Sequence, residues 1–242
     1  MKRTLVIGDI HGGLKALTQV LERANVTLDD TLVFLGDYVD GWSESAQTIE
    51  YLLKLAEKQE CIFIRGNHDL WCGRWLELGA SNPVWEENGG KETKQSYLAT
   101  GLLTDKEHIV FFNQLKDYYI DGQNRLFIHA GYTSIHGVGN EEYPSNYYFD
   151  RTLWEMALVM DDRVEKHSSF FPKRLMHYKE IFLGHTPTVN FGKDIPMHAI
   201  NIWNVDTGAG FKGKLSCLDI ETKQFWQSDS LPTIYTNEKG RN

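Results

Sequence analysis

Cysteine is scarce in this sequence. Cys61, Cys72 and Cys217 are an odd number, far apart and without a C-x-x-C pair, which excludes a disulfide framework and points to a reducing compartment. Long apolar runs are also missing. Behind Met1, Lys2 and Arg3 the apolar stretch spans only residues 5–7 before Gly8 and Asp9, far short of a signal-peptide core or a membrane span. The expectation is a cytoplasmic protein with no membrane partner. Positive charge is in deficit: 25 Lys and Arg face 33 Asp and Glu, a net charge of −8, so the chain repels a phosphate backbone and no nucleic-acid partner is expected. Repeats, low-complexity tracts and linkers are absent. The 242 residues, 41% hydrophobic and 24% charged, suit one globular domain, expected over 1–235, with a flexible polar tail over 236–242.

The first seventy residues alternate between short apolar runs and helical spacing. Strands are predicted over 3–8, 31–35 and 61–64, and helices over 14–24 and 43–58. That alternation predicts an α/β fold with parallel pairing, and the apolar runs 32–35 and 61–64 suit strands buried on both faces. Ser43 reads as an N-cap, and Thr104 with Glu107 as a capping box opening a helix toward Leu115. After residue 117 strand signals dominate, over 125–129, 181–184, 199–205 and 214–220, with one helix over 152–160. Segments 81–94 and 136–150 read as long loops, which in compact domains tend to carry function.

Polar residues follow the apolar strands. Asp9 and His11 stand in Gly8-Asp9-Ile10-His11-Gly12, Asp37 and Asp40 in Gly36-Asp37-Tyr38-Val39-Asp40-Gly41, and Asn67 and His68 in Gly66-Asn67-His68-Asp69. His129 and His185 follow the runs 126–128 and 181–183. Ligands of parallel sheets bind at the carboxyl ends of strands, so five strand ends converge where a site belongs. Singly, such an Asp is a helix cap and such a His a surface residue. Jointly, four of the nine histidines at glycine-flanked strand ends require a common cause.

The motifs GDIHG, GDYVD, RGNHD, HAG and GHT, in this order within residues 3–220, resemble the calcineurin-like metallophosphoesterases. Within that superfamily they are most similar to the Ser/Thr phosphoprotein-phosphatase branch with its bacterial and phage members. The resemblance implies a four-layer α/β/β/α sandwich, two mixed β-sheets flanked by helices, with two metal ions at one sheet edge. It assigns Asp9, His11 and Asp37 to one metal and Asp37, Asn67, His129 and His185 to the other, Asp37 bridging. Carboxylate, amide and imidazole donors suit Mn, Fe, Zn or Co, with Mn expected in vitro. The implied chemistry is direct attack of metal-bound hydroxide on phosphorus. His68 is implied as the acid that protonates the departing oxygen and Asp40 as its partner, a carboxylate that would raise the imidazole pKa; for Asp40, a turn cap is the alternative.

One departure stands out. At Gly41 the phosphatase branch carries an arginine, so a phosphate clamp is missing here. Arg65, before Gly66, matches an arginine of the family's RGNH motif and is the leading phosphate-binding candidate, with Asn67 beside it. Arg151 fits both a later clamp arginine and a surface cation. Gly208 to Lys214 spells G-x-x-x-x-G-K, but Leu215 and the strand-like LSCLDI behind it rule out a nucleotide P-loop. The aromatic set Trp71, Trp75, Trp85 and Tyr97 suits a substrate groove or core packing equally. The leading expectation is a Ser/Thr-type phosphoprotein phosphatase acting on phosphate monoesters. The alternatives are a symmetrical diadenosine tetraphosphate hydrolase, another small-molecule phosphoesterase, or a metal-bound scaffold without turnover.

Overall fold

A computed structural model describes residues 2–160 and 163–241. The first sheet has the order β10-β9-β1-β2-β3, built from β1 (Thr4–Ile7), β2 (Thr31–Phe34), β3 (Cys61–Phe63), β9 (Ser216–Asp219) and β10 (Phe225–Gln227). The second has the order β4-β5-β6-β8-β7, from β4 (Tyr118–Ile120), β5 (Arg125–Ile128), β6 (Glu180–Leu183), β7 (Met197–Ala199) and β8 (Ile202–Asn204). Both sheets are mixed. β1, β2 and β3 run parallel, as do β5, β6 and β8, while β9, β10, β4 and β7 pair antiparallel.

Strand periodicity explains the layering. Successive side chains point to opposite faces, so Leu5, Ile7, Leu32 and Phe34 pack under the helices Leu14–Arg23 and Ser45–Ala56, while Val6, Val33 and Leu35 face the other sheet. There, beside Leu218 of β9 in their own sheet, they meet Phe127, Phe182 and Val205, with the rings of Phe127 and Phe182 stacked at 5.1 Å. The alternate residues of the second sheet, Leu126, Ile128, Ile181 and Leu183, pack with Leu153 and Trp154 of the helix Thr152–Val159. Helix, sheet, sheet and helix make the four layers that the motifs implied. Among the described residues no helix is long and apolar enough to cross a membrane.

Several local readings shift. Segment 81–94 is helical rather than a loop: Asn82 caps the turn Pro83–Trp85 by accepting from Trp85 N at 2.8 Å, a kinked turn follows, and the helix Lys91–Thr100 begins. The capping residue before the helix Lys106–Gln114 is Asp105, not Thr104. Ser43 caps nothing; its N–H and hydroxyl donate to the Glu238 carboxylate. The run 199–205 divides into β7 and β8 because Ile200 turns at φ 58°.

Candidate metal centre

The carboxyl ends of β1, β2, β3, β5 and β6 open toward one place, and the loops behind them are tightly wound. Four of their residues, His11 (φ 54°), Asp37 (φ 51°), Asp40 (φ 74°) and His185 (φ 65°), hold left-handed backbone, a strained state that persists only where surrounding contacts enforce it. Asp69 supplies much of that enforcement. Its carboxylate accepts from Asp37 N (2.7 Å), Tyr38 N (2.8 Å) and Gly66 N (2.8 Å). Gly66 is obligatory, since any side chain there would overlap the Asp37 carboxylate. Asp69, last in GNHD, has a role the sequence did not reveal, because an acid in the first turn of a helix reads as ordinary capping.

The six residues implied as ligands come together, all buried or nearly so. Asp37 is common to two groups able to hold a cation, one with His11 and His68 and one with His129 and His185. Its Oδ2 lies 3.7 Å from His11 Nε2 and 3.4 Å from His129 Nε2, and His129 Nε2 lies 3.2 Å from Asn67 Oδ1. Asp9 Oδ2 accepts from His185 N at 3.1 Å, while its Oδ1 is buried without a partner. Asp206, from the loop after β8, is also buried here.

Electrostatics describe the same cluster. Burial pushes Asp37, Asp69 and Asp206 up to about 7, and burial with the neighbouring Asp206 drives Asp9 well above the carboxylate range. Burial drives His11 and His185 down and His129 to about 4. Crowded carboxylates and neutral imidazoles, with one carboxylate oxygen orphaned, are the donor set that divalent cations complete. The residues fit the implied metals.

His68 and Asp40 lie beside this cluster, with His68 Nδ1 2.6 Å from Asp40 Oδ2. Asp40 also accepts from Trp85 Nε1 (2.7 Å) and Thr93 Oγ1 (2.6 Å), so the turn-cap alternative does not describe it. The expected rise in the His68 pKa is reversed: burial first, then the Arg241 charge, drive it well below its ordinary value.

A cavity of about 660 Å³ lies over the cluster, lined by Asn67, His68 and His185, by Trp71, Phe149 and Phe211, and by Arg151, Lys212 and Arg241. Arg151 is thus brought to the site. Arg65 is not: its guanidinium donates to Phe112 O (3.1 Å) and Asn113 O (3.4 Å) and pairs with Asp117. Its phosphate-binding assignment is withdrawn, since those carbonyls at a helix end occupy its donors. The aromatic set divides. Trp71 faces the cavity, whereas Trp85 and Tyr97 are core residues packed on Trp75.

Comparison with known proteins places this architecture. Residues 2–210 match the family model described as calcineurin-like phosphoesterase. A curated relative from Bacillus thuringiensis (strain Al Hakam), bis(5'-nucleosyl)-tetraphosphatase PrpE [asymmetrical], is 26% identical over 234 residues, covering 88% of each chain. Among solved structures, a candidate diadenosine tetraphosphatase superposes with a TM-score of 0.64 at 17% identity, over 93% of this chain and 92% of that one. A serine/threonine phosphatase from Saccharomyces cerevisiae with similarity to human PP5 gives 0.59 at 14%, over 95% and 80%. At these identities the two structures speak for the fold.

Proposed function

This chain belongs to the calcineurin-like phosphoesterase family, hydrolases of phosphoric esters, and from that premise we propose that its substrate is a dinucleoside polyphosphate cleaved at a phosphoric anhydride. The observation that carries this reading is the lining of the cavity, where the cations Arg151, Lys212 and Arg241 stand among the rings of Trp71, Phe149 and Phe211. Cations match a run of phosphates. Aromatic faces take a nucleobase by stacking, worth about 1–3 kcal/mol per base, and a phosphoserine side chain has no ring to place there. The tetraphosphatase name of the curated relative supports the same class.

Asp9, His11, Asp37, Asn67, His129 and His185 would hold the two metals, which when bound supply an activated water and polarise phosphoryl oxygens. The remaining work falls to the chain itself. Asp37 ties the two halves of the site together, since it belongs to both donor groups. The contact between His68 Nδ1 and Asp40 orients the ring and leaves Nε2 as the nitrogen that would pass a proton to the departing oxygen. Arg151 and Lys212 neutralise the phosphates beyond the one attacked.

A second reading, a Ser/Thr phosphoprotein phosphatase, is favoured by the His68–Asp40 pair, because a serine alkoxide is a basic leaving group that demands an acid. A substrate panel on the Mn-loaded protein separates the two. It comprises diadenosine tetraphosphate, phosphoserine peptides, p-nitrophenyl phosphate and bis-p-nitrophenyl phosphate. Stacking of one base should favour the dinucleotide in kcat/KM by about tenfold or more; the reverse preference selects the phosphatase. Chromatography of the products, two ADP or ATP with AMP, identifies the anhydride cleaved.

A further inference from the structure

The segment 236–241 reads in sequence as a polar tail, yet contacts hold it in place as far as Arg241; Asn242 lies outside the described residues. Tyr235, just before it, stacks on Trp42 at 5.1 Å and donates its hydroxyl to Glu44. The Glu238 carboxylate accepts from Ser43 N (2.9 Å) and Ser43 Oγ (2.8 Å), and Arg241 N donates to Gly210 O at 2.9 Å. These anchors belong to the loop that carries Asp37 and Asp40 and to the loop that carries Asp206. The segment is therefore fastened to the site's own scaffold.

The consequence is the position of one guanidinium. Arg241 lies 4.9 Å over the Phe211 ring, with Nη1 3.3 Å from His11 Nε2. Its stem passes Gly41, where an added Cβ would stand 3.0 Å from Arg241 Cγ. The fold's structural arginines are paired: Arg3 with Asp30, Arg23 with Asp229, Arg125 with Asp121 and Glu221. Arg241 differs. Among the described residues no carboxylate lies within ion-pair distance of it, and its Nε is buried without a partner. The residue is half-buried in the cavity wall, and its charge acts on the buried Asp9, Asp37, Asp40 and Asp206 without an ion pair to any of them, so an anion entering the cavity meets a guanidinium whose charge no carboxylate contact neutralises.

We infer that Arg241 binds the phosphoryl oxygens of the substrate, reaching from a distant part of the chain into the space left at Gly41. Phe211 fixes the plane of the guanidinium fork, and the Glu238–Ser43 contact positions the segment that delivers it. The inference depends on the proposed function only for the ligand's being a phosphoryl group, which dinucleotides and phosphomonoesters share. The opposite role is a plug: a cation 3.3 Å from His11 Nε2 could compete with a metal for that donor, and removing it would then improve the enzyme.

Inorganic phosphate is the probe, titrated calorimetrically into Mn-loaded protein, with metal binding measured separately. Arg241→Ala should weaken phosphate binding by about 10–100-fold, the loss of a charge-assisted pair of hydrogen bonds, while the Mn stoichiometry is unchanged. Arg241→Lys should recover only part, since an ammonium lacks the planar fork. Glu238→Ala keeps Arg241 but removes an anchor, and should weaken phosphate binding by a smaller factor, with Glu238→Gln closer to the parent. Unchanged phosphate affinity in Arg241→Ala overturns the inference, as do tighter Mn binding and faster turnover, which would identify a plug. A chain that loses phosphate affinity in Arg241→Ala yet ignores diadenosine tetraphosphate overturns the substrate reading alone.

Discussion

His68 and Asp40 share a hydrogen bond of 2.6 Å between side chains that are both buried, and Asp40 is itself gripped by the Trp85 indole and the Thr93 hydroxyl. Two donors and the imidazole converge on one carboxylate, which fixes the ring's orientation and leaves Nε2 as the nitrogen not engaged by Asp40. In the proposed reaction His68 is the proton carrier, yet among the described residues it also stands in one of two groups able to hold a cation. His68→Asn separates these roles. As an acid, its loss should cut kcat on phosphoserine by about 10²–10⁴, with a smaller loss on diadenosine tetraphosphate, whose leaving nucleoside phosphate needs little protonation. Metal stoichiometry should hold. Equal losses on both substrates, or a lost metal, would remove His68 from the acid role.

Asp37 is the test of the metal arrangement. Because it is shared by both donor groups, Asp37→Asn should lower occupancy of both sites, from a stoichiometry near two in the parent, by metal analysis after saturation with Mn²⁺. Chelation should lower the melting temperature of the parent and do little to the variant, since ions that bind only the folded state stabilise it in proportion to the logarithm of their concentration. A parent that binds a single metal at saturation would contradict the assignment of His129 and His185.

Much of this site was legible because its chemistry is local. Asp9 with His11, Asp37 with Asp40, and Asn67 with His68 each lie within one strand-end motif, and the strands that deliver them announce themselves as apolar runs, although only β2 is buried throughout and β3, at the sheet edge, is half-buried where burial on both faces was expected. What escaped the sequence depended on three-dimensional neighbours. Asn88, Gly89 and Gly90 read as a loop, yet the chain there is a kinked helix whose Trp85 secures Asp40 from 45 residues away. Ile200 gave no turn signal, so β7 and β8 read as one strand. Arg65 sits in the right motif but spends its donors on the helix end 112–113. Arg241 sits in no motif, and only the path of segment 236–241 brings it in.

Asp30 offers a pH test remote from the metals. Its carboxylate takes the Arg3 fork through Oδ1 (3.0 Å) and Oδ2 (2.6 Å) and accepts from Thr27 N. The Arg3 hydrogen bond leads in lowering its pKa from 3.8 to about 2. A carboxyl depressed on folding stabilises fully above its unfolded value and loses that contribution as pH falls through the folded one. The melting-temperature gap between parent and Asp30→Asn should therefore be constant near neutrality and close between pH about 4 and about 2. A gap that persists at pH 2 would mean the contact contributes through shape, not charge.

Arg65→Ala should act on stability and leave chemistry alone. The guanidinium caps carbonyls at the end of the helix Lys106–Gln114, a place where a cation contributes about 0.3–1 kcal/mol in addition to its hydrogen bonds. Calorimetric melting should fall by a few degrees, about 2–4 °C per kcal/mol for a chain of this size, with kcat/KM unchanged below the transition. A large loss of phosphate affinity without a loss of stability would return Arg65 to the site.

Restoring an arginine at position 41 should damage the enzyme. Gly41 holds φ +114°, which costs an L side chain about 1–3 kcal/mol, and its missing Cβ leaves room for the Arg241 stem 3.0 Å away. The Gly89 backbone closes the other side: a Cβ added at Gly89 would come within 2.5 Å of Gly41 N, so the turn has little freedom to relax. Gly41→Arg should lower the melting temperature and weaken phosphate binding, because the new side chain displaces the resident guanidinium. In an Arg241→Ala background that collision is gone, and Gly41→Arg should then cost less phosphate affinity than it does alone. Contacting residues couple by about 0.5–3 kcal/mol in such double-mutant cycles. A cycle that is additive would show that positions 41 and 241 do not compete for one space, and a Gly41→Arg single variant with tighter phosphate binding would show that both guanidinium groups fit.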